Sequence, residues 1–397
     1  MGASKKKTSQ HILISGASVA GLNTAFWLIK YGFEVTIVER SATIRAGGQG
    51  LDVRGPALEV AARMGMLEAL RANSTKLQGM SIIEVETGEE IYRNTERSFT
   101  GGRFDSPDIE ILRDDLIRLL LDFVGDRVTY LFNDTIVSIS QGDSSVDVTF
   151  ALAKAARFDL IIGADGTHSN VRKLVFGPEK DFTRYLGYYV GIFTIPNILG
   201  LDHWEVFAQH DGKLVATLIV KEKEGEARGY LGLQSEKIIS YDYRDIPAQK
   251  ELLAKANGHI GWEVPKIISH MRESPNFYFD AVSQIIMEKW SQGRVVLVGD
   301  AGYGVSLTLG QGTTVAMVGA YVLAGELAEN WNDLPKALVN YEHLLRDYVE
   351  INQQLAYSSH DQQPQPHVSG EETVEHPDTV PDFGVFIVPY ELKDYKF

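Results

Sequence analysis

The sequence has no cysteine in its 397 residues. That absence excludes thiol catalysis, disulfide bonds, iron–sulfur clusters, thiolate-ligated zinc and a flavin bound covalently through cysteine. The ten histidines are scattered along the chain, without an HExxH motif or another metal-ligand spacing. We interpret them as surface or structural residues and predict that the protein binds no metal ion.

Long apolar runs and an excess of positive charge are also missing. No stretch approaches the roughly 18 apolar residues of a membrane span, and the lysine-bearing start, Met1–Gln10, is not followed by the apolar stretch of a secretory signal. A formal net charge of −15 at pH 7 would repel nucleic acid and anionic membranes. We therefore expect a cytoplasmic protein that binds neither, and we take a monomer as the starting assumption.

The chain begins, after this tail, with a strand, a glycine turn, a helix and a second strand. His11–Ser15 is a short apolar run, Ala20–Tyr31 has apolar residues at helical spacing, and Glu34–Glu39 is rich in β-branched residues. Two strands joined through a helix in this way form a βαβ unit, which requires a parallel sheet.

The turn between the first strand and the helix is the first candidate binding site. Backbone N–H groups and the positive end of the helix face outward there, where a dinucleotide pyrophosphate can bind. Glu39 ends the next strand, from which a carboxylate accepts hydrogen bonds from a ribose hydroxyl. Arg40, which follows it, is also predicted to contact the cofactor. Ser18 replaces the usual middle glycine, and an ordinary tight turn is the alternative for this stretch alone. The turn residues predicted to contact a cofactor are Gly16, Ser18, Ala20 and Gly21.

The remainder of the chain indicates one domain inserted into another. Tyr185–Val282 is rich in β-branched and aromatic residues with turn signals, which favours a mainly antiparallel sheet. Arg294–Val298 returns to the buried pattern of a parallel strand, and two helices follow. The predicted boundaries are 1–182 and 283–357 for the first domain, 183–282 for the inserted domain, and 358–397 for a linker and C-terminal tail.

Two further turns that combine an acid with glycine follow buried strands. The apolar strand Asp159–Gly163 leads to Asp165-Gly166 and then to a Ser-x-x-Arg helix start, and Gly293–Val298 leads to Asp300 and a glycine pair before a helix. With the first turn, these segments resemble the three fingerprints of the class A, single-component, FAD-dependent aromatic hydroxylases. The resemblance spans roughly residues 10–355, with the motifs in the order and spacing of that family.

Within that family the sequence is most similar to the tetracycline-inactivating (tetracycline destructase-like) and polyketide monooxygenases. The similarity rests on the glycine-rich loop Arg45–Gly55 and on the segment Glu110–Leu116. It implies that Arg45 meets the nicotinamide cofactor, whereas Asp52 and Arg113 contact FAD. A solvent-facing salt bridge is the alternative for each arginine, and a plain surface turn for the loop. The other residues that the resemblance assigns to the cofactor site are Gly48, Asp165, Gly166, Asp300, Gly310 and Gly312.

The resemblance implies an α/β fold: a Rossmann-like FAD-binding domain of the glutathione-reductase type, an inserted, mainly antiparallel substrate domain, and C-terminal helices. It also implies that NADPH or NADH reduces FAD, without a nucleotide-binding domain of its own. Dioxygen then reacts to give a C4a-hydroperoxyflavin that hydroxylates an aromatic, phenolic or polycyclic small molecule. Because the flavin supplies the redox chemistry, we assign no catalytic side chain.

The predicted substrate pocket lies between the inserted sheet and the flavin. Its candidate wall residues are Tyr188, Phe193, Trp204 and Leu307. Side chains alternate along a strand, so about half of the sheet aromatics should face elsewhere. Leu307 stands where relatives carry proline, which supports an alternative, an FAD-binding cyclase or isomerase without net oxidation. A non-catalytic binding protein on the same fold is the third hypothesis.

Overall fold

The structure is a computed structural model that describes residues 10–43, 47–96, 103–211, 213–222, 224–307, 310–361 and 387–396. Arg45 and most of the predicted linker lie outside the described residues. None of the described helices is long and apolar enough to cross a membrane.

The strands divide between a parallel sheet, a mainly antiparallel sheet and two small antiparallel ribbons. They are β1 His11–Ser15, β2 Glu34–Glu39, β3 Gly50–Val53, β4 Gly79–Glu84, β5 Glu89–Asn94, β6 Ile109–Leu112, β7 Thr129–Phe132, β8 Ile136–Gln141, β9 Val146–Phe150, β10 Ala156–Phe158, β11 Leu160–Gly163, β12 Thr183–Pro196, β13 Trp204–His210, β14 Lys213–Val220, β15 Glu226–Gln234, β16 Phe277–Ile285, β17 Ser291–Gln292 and β18 Val295–Leu297. The helices are α1 Val19–Lys30, α2 Pro56–Met64, α3 Leu67–Asn73, α4 Arg113–Val124, α5 Asn170–Val175, α6 Ile246–Asn257, α7 Val264–Glu273, α8 Asp300–Tyr303, α9 Gly312–Asn330 and α10 Leu334–Asp361.

The first sheet has the order β17-β18-β11-β1-β2-β7, parallel except for β17 at its edge. Strand β1 is central, and its apolar residues Ile12, Leu13 and Ile14 are fully buried. A strand that is buried on both faces belongs to a parallel sheet covered by helices. The parallel sheet predicted from the βαβ unit is therefore confirmed, and the ends of β1, β2, β11 and β18 bring the motif turns to one edge.

The second sheet has the order β16-β12-β15-β14-β13-β4-β5 and is antiparallel except for the β13–β4 pair. Helices α6 and α7 cover one face, with Tyr189, Leu253 and Ile268 in the buried layer between. The other face meets the first domain, where the Gly50 N–H donates to the Tyr230 hydroxyl at 2.9 Å.

The extent of this second sheet corrects the predicted domain boundaries. Strands β4 and β5, predicted to belong to the first domain at 1–182, join the second sheet because β4 pairs with β13. Strand β16 also continues past 282, to Ile285. A pairing between strands more than a hundred residues apart leaves no local sequence signal, so the prediction missed it.

Two long helices and the C-terminal segment complete the first domain. Helix α9 is buried along most of its length, and α10 packs beside it and continues past 357 to Asp361. Residues 387–396, which we call the C-terminal strap, lie against α9, where the Tyr395 ring packs on Gly325. The chain thus returns to the first domain after the segment 362–386.

Candidate functional site

The turn before α1 is shaped by two glycines. Gly16 has φ +107°, and a Cβ there would lie 2.5 Å from the Ala164 carbonyl oxygen, while a Cβ on Gly21 would overlap the Gly16 carbonyl oxygen. Ser18 is the N-cap of α1 but makes no side-chain cap bond, and the first turn of α1 holds no acid. The positive end of this helix is therefore available to an anion.

Glu39 fastens this turn to the end of β2. Its two carboxylate oxygens accept hydrogen bonds from the Ala17 and Ser41 N–H groups, each at 2.9 Å. A carboxylate has about four acceptor positions, so each oxygen keeps one for a hydroxyl donor. Arg40, the next residue, is exposed.

Asp165 uses its carboxylate within the protein. It accepts hydrogen bonds from the Ser15 and Ser169 hydroxyls and from the Asn170 and Val171 N–H groups. Three of these bonds end on Oδ2 and one, from Ser169, ends on Oδ1. Asp165 therefore helps to shape the turn at Gly166 (φ +80°). The contact with FAD that the resemblance implied for Asp165 stays a prediction.

Asp300 lies where the other turns converge. Gly299 has φ +64°, and a Cβ there would lie 2.9 Å from the Ala20 Cβ, so the start of α8 touches the start of α1. Among the described residues, the Asp300 carboxyl has no hydrogen-bond partner. The Asp300 side chain is exposed to solvent. Protein atoms nevertheless surround its carboxyl group closely, and this desolvation raises its pKa to about 6. Asp300 is thus an unused acceptor at the centre of the site.

The start of α9 forms another side of the site. Gly310 has φ +66°, and a Cβ there would overlap the Asp52 carboxylate, whereas a Cβ on Gly312 would meet nothing within 4 Å. The buried Arg54 guanidinium lies 2.9 Å from Asp52, and the Arg54 N–H donates to the Thr314 hydroxyl at 3.3 Å. These contacts hold the β3 strand against a helix N-terminus that has no acid in its first turn.

Arg113 connects the glycine-rich loop to α1. Its Nη2 donates to the Ser18 hydroxyl at 3.1 Å, and a Cβ on Gly48 (φ +120°) would lie 2.9 Å from its Cδ. The structure thus brings Arg113, Gly48 and Ser18 together. Arg45 lies outside the described residues, so its assignment to the nicotinamide cofactor stays a prediction.

Sequence reasoning missed the role of Glu110. In the β3–β6 ribbon Glu110 pairs directly with Asp52, which places two carboxyl groups side by side. The Glu110 pKa is raised to about 8, mainly by burial and secondly by the neighbouring Asp52 charge. Glu110 was visible as an acid between Ile109 and Ile111, but its partner strand was not, because strand pairing is a long-range property.

Replacing Glu110 by glutamine is expected to stabilise the protein at alkaline pH. The fold raises the carboxyl pKa of Glu110 from 4.5 to about 8, so the protonated side chain favours the folded state. This contribution to the free energy of unfolding is fully present below about pH 4.5 and is lost as pH rises through about 8. Glutamine has no proton to lose. The free energy of unfolding of the variant, relative to wild type, should therefore rise between about pH 5 and about pH 8.5, as measured by urea denaturation of the cofactor-free protein.

The matched control for this experiment is Glu89→Gln, an exposed glutamate on β5. Its stability difference from wild type should be the same at both pH values. A Glu110→Gln difference that is equally independent of pH would show that Glu110 is already ionised in the folded protein.

The predicted wall residues divide between the two faces of the second sheet. Tyr188 and Ile192 are four residues apart on β12, so their side chains lie on the same face of the sheet. Ile192 pairs with Tyr230, on the face toward the first domain. The Phe193 side chain lies on the opposite face. It is 1% exposed and belongs to the core beneath α6 and α7. Placement in this core removes Phe193 from the proposed wall.

Trp204 also lies on the face away from the first domain. Its Nε1 donates to the Ser81 hydroxyl at 3.0 Å, and the Arg93 guanidinium lies 4.5 Å from the centre of its ring. Trp204 therefore leaves the proposed wall as well. Leu307 is 42% exposed and stays a candidate. Tyr303 points into the core, with its hydroxyl 2.8 Å from the Tyr341 hydroxyl.

The described residues fit an FAD molecule. Two helix N-termini without capping side chains or acids, those of α1 and α9, suit phosphate and other negative charge. Glu39 and Asp300 keep acceptor positions that suit ribose and ribityl hydroxyls. Gly312 leaves open space beside the start of α9.

Comparison with known proteins agrees with this fit. Residues 9–352 match the family model described as FAD binding domain. An uncharacterized protein of Mycobacterium tuberculosis is 46% identical over 87% of this chain and 92% of its own length. A flavin-dependent monooxygenase of Legionella longbeachae is 38% identical over 87% of each chain. The crystal structure of tetracycline destructase Tet(51) superposes with a TM-score of 0.80 at 36% identity, covering 89% of this chain and 91% of the other. The chain therefore belongs to the FAD binding domain family and is an FAD-dependent monooxygenase of the aromatic-hydroxylase type, an oxidoreductase.

Proposed function

We propose that this enzyme uses NADPH or NADH and dioxygen to hydroxylate an aromatic, phenolic or polycyclic small molecule. The observation that carries the proposal is the position of the second sheet. Its Tyr230 hydroxyl binds the Gly50 N–H of the cofactor-site ribbon, so one face of the sheet lies against the cofactor turns. A flat substrate between that face and the cofactor would be enclosed on both sides.

The residues that would hold FAD are the turn before α1, Glu39, Arg113, Asp300 and the start of α9. When bound, FAD supplies the hydride acceptance and the oxygen activation of the reaction. The chain binds and orients the reactants and excludes water. The N-terminus of α9 stabilises negative charge that develops beside it, and Tyr188 and Ile192 offer an aromatic and apolar wall. We assign no acid or base to the described side chains.

The substrate class follows from the chemistry of the wall and from the similar structures. Tet(51) and Tet(55), both 36% identical to this chain, are named tetracycline destructases. For this chain we infer a polycyclic phenolic or enolic substrate of the tetracycline or polyketide type, and hence a role in antibiotic inactivation. An electron-rich carbon beside a phenol or enol is the position that such a hydroxylation attacks.

Stopped-flow spectroscopy of the FAD-loaded protein tests the proposed reaction. NADPH or NADH should bleach the flavin absorbance without oxygen, and the colour should return when oxygen is admitted. Tetracyclines and phenolic polyketides should be screened for faster nicotinamide oxidation, and mass spectrometry should show one added oxygen atom in the product. A protein that stays yellow with both nucleotides and all substrates would contradict the proposal.

A matched pair of variants tests the substrate wall. Tyr188→Ala should raise KM for the substrate that the screen identifies, because it removes a ring from the face toward the cofactor turns. Trp204→Phe is the control, since Trp204 lies on the opposite face, and its KM should match wild type. Equal KM values in both variants would place the substrate elsewhere.

A further inference from the structure

Three turns of the inserted domain meet at one end of its sheet, outside the cofactor site. The turn after β4 carries Glu86, and the loop between α6 and α7 carries His259. His210 ends β13, and Asp211 begins the turn after it. Strands β4 and β13 are adjacent, so the first two turns emerge side by side. A Cβ on Gly261, in the third loop, would lie 3.5 Å from the Val85 carbonyl oxygen.

Side chains from these turns form a compact donor set. One ligand atom each from Glu86, His210 and Asp211 can be chosen so that all lie within 4.8 Å of one another. The His210 Nδ1 contacts a Glu86 carboxylate oxygen, and its Nε2 lies 3.8 Å from Asp211. The His259 ring is 5.6 Å from the His210 ring, centre to centre.

The charge balance at this end of the sheet favours a bound cation. Glu84 is two residues before Glu86, at the end of β4, where the Gln209 amide donates to its Oε2 at 3.3 Å. The Glu84 Oε1 is buried and, among the described residues, has no hydrogen-bond partner. The carboxyl groups of Glu86 and Asp211 flank His210, and a divalent ion would balance their negative charge.

We propose that Glu86, His210 and Asp211, with His259 as a fourth ligand, bind a divalent transition-metal ion of the zinc class. Imidazole nitrogen and carboxylate oxygen in a four-ligand set are donors that Zn²⁺ accepts. The ion would tie three turns together at the end of the substrate-binding sheet. This proposal departs from the sequence prediction of no metal, which considered only short-range spacing, whereas these ligands come from three distant segments.

Zinc titration of the full-length, untagged, FAD-loaded protein tests the site. The protein is first stripped with EDTA and then titrated with zinc chloride in a calorimeter, and retained metal is counted by mass spectrometry after desalting. Wild type should retain one zinc ion per chain. His210→Ala should bind zinc roughly tenfold more weakly or worse, because a lost ligand costs at least as much as a lost supporting residue.

The control variant is His343→Ala, an exposed histidine on α10, which should bind zinc as wild type does. If His210→Ala fails to fold, Asp211→Asn decides, because the side chain of Asp211 is 85% exposed and its change should not disturb the core. Zinc should raise the Tm of wild type and of His343→Ala only. No retained zinc in wild type, or equal binding by all variants, would show an ordinary His210–Glu86 ion pair and overturn the proposal.

Discussion

Replacing Lys393 by methionine is expected to destabilise the protein by about 3 kcal/mol, because it leaves a buried carboxylate without its cation. That carboxylate belongs to Glu326, which is 0% exposed in α9. The Lys393 Nζ donates to the Glu326 Oε1 at 2.6 Å. Lys393 itself is partly exposed, so we place the expected loss at the lower end of the range for buried pairs. Urea denaturation measures the effect.

A double variant separates the buried charge from a general loss of packing. Glu326→Gln combined with Lys393→Met removes both charges, and the amide can still bond with Asn340, which now donates to Glu326 at 2.9 Å. The double variant should recover most of the lost free energy of unfolding. The control is Lys336→Met, an exposed lysine on α10. Equal stability of Lys393→Met and Lys336→Met would mean that the C-terminal strap does not hold α9.

The strap also connects this stability to the cofactor site. Its first residue, Ile387, packs against Gly55 so closely that a Cβ there would lie 2.5 Å from the Ile387 Cγ2. Gly55 follows Arg54, which is paired with Asp52 beneath the start of α9. The family match ends at residue 352, so the strap lies beyond the matched region. FAD affinity should therefore be measured alongside stability in the same variants.

Replacing Asp300 by asparagine is expected to weaken FAD binding roughly 10- to 100-fold, the value of one hydrogen bond to a charged group. The Asp300 carboxyl has no hydrogen-bond partner among the described residues, and it lies where the starts of α8 and α1 meet. A ribose or ribityl hydroxyl would supply the missing donor. Titration of cofactor-free protein with FAD, followed by flavin fluorescence, measures the dissociation constant.

The same variant should not lose stability without FAD. The fold raises the Asp300 pKa from 3.8 to about 6, so the protonated side chain favours the folded state. This contribution to the free energy of unfolding is fully present below about pH 3.8 and is lost as pH rises through about 6. At neutral pH the cofactor-free variant should therefore be at least as stable as wild type. Asp347→Asn, on the exposed side of α10, is the control and should change neither quantity. An unchanged dissociation constant for Asp300→Asn would remove Asp300 from the cofactor site.

The sequence by itself determined the order of the motifs and the parallel sheet that carries them. Glycine is required at positions 16 and 21, since a side chain on Gly16 or Gly21 would collide with backbone atoms. The sequence shows such a requirement directly, as a glycine at that position. The apolar run of β1 predicts that both faces of this strand are buried, and such a run is again a local property of the sequence. These features could be predicted because each depends on a few neighbouring residues.

The tertiary structure alone decided how individual side chains are used. Strand alternation divides Tyr188 from Phe193, but only the packing of α6 and α7 shows which face is core and which faces the cofactor turns. The Glu110–Asp52 pair and the Lys393–Glu326 pair join residues far apart in the chain. Such contacts follow from the free energy of the whole fold, in which strand pairing and burial are settled together, and no local pattern in the sequence encodes them.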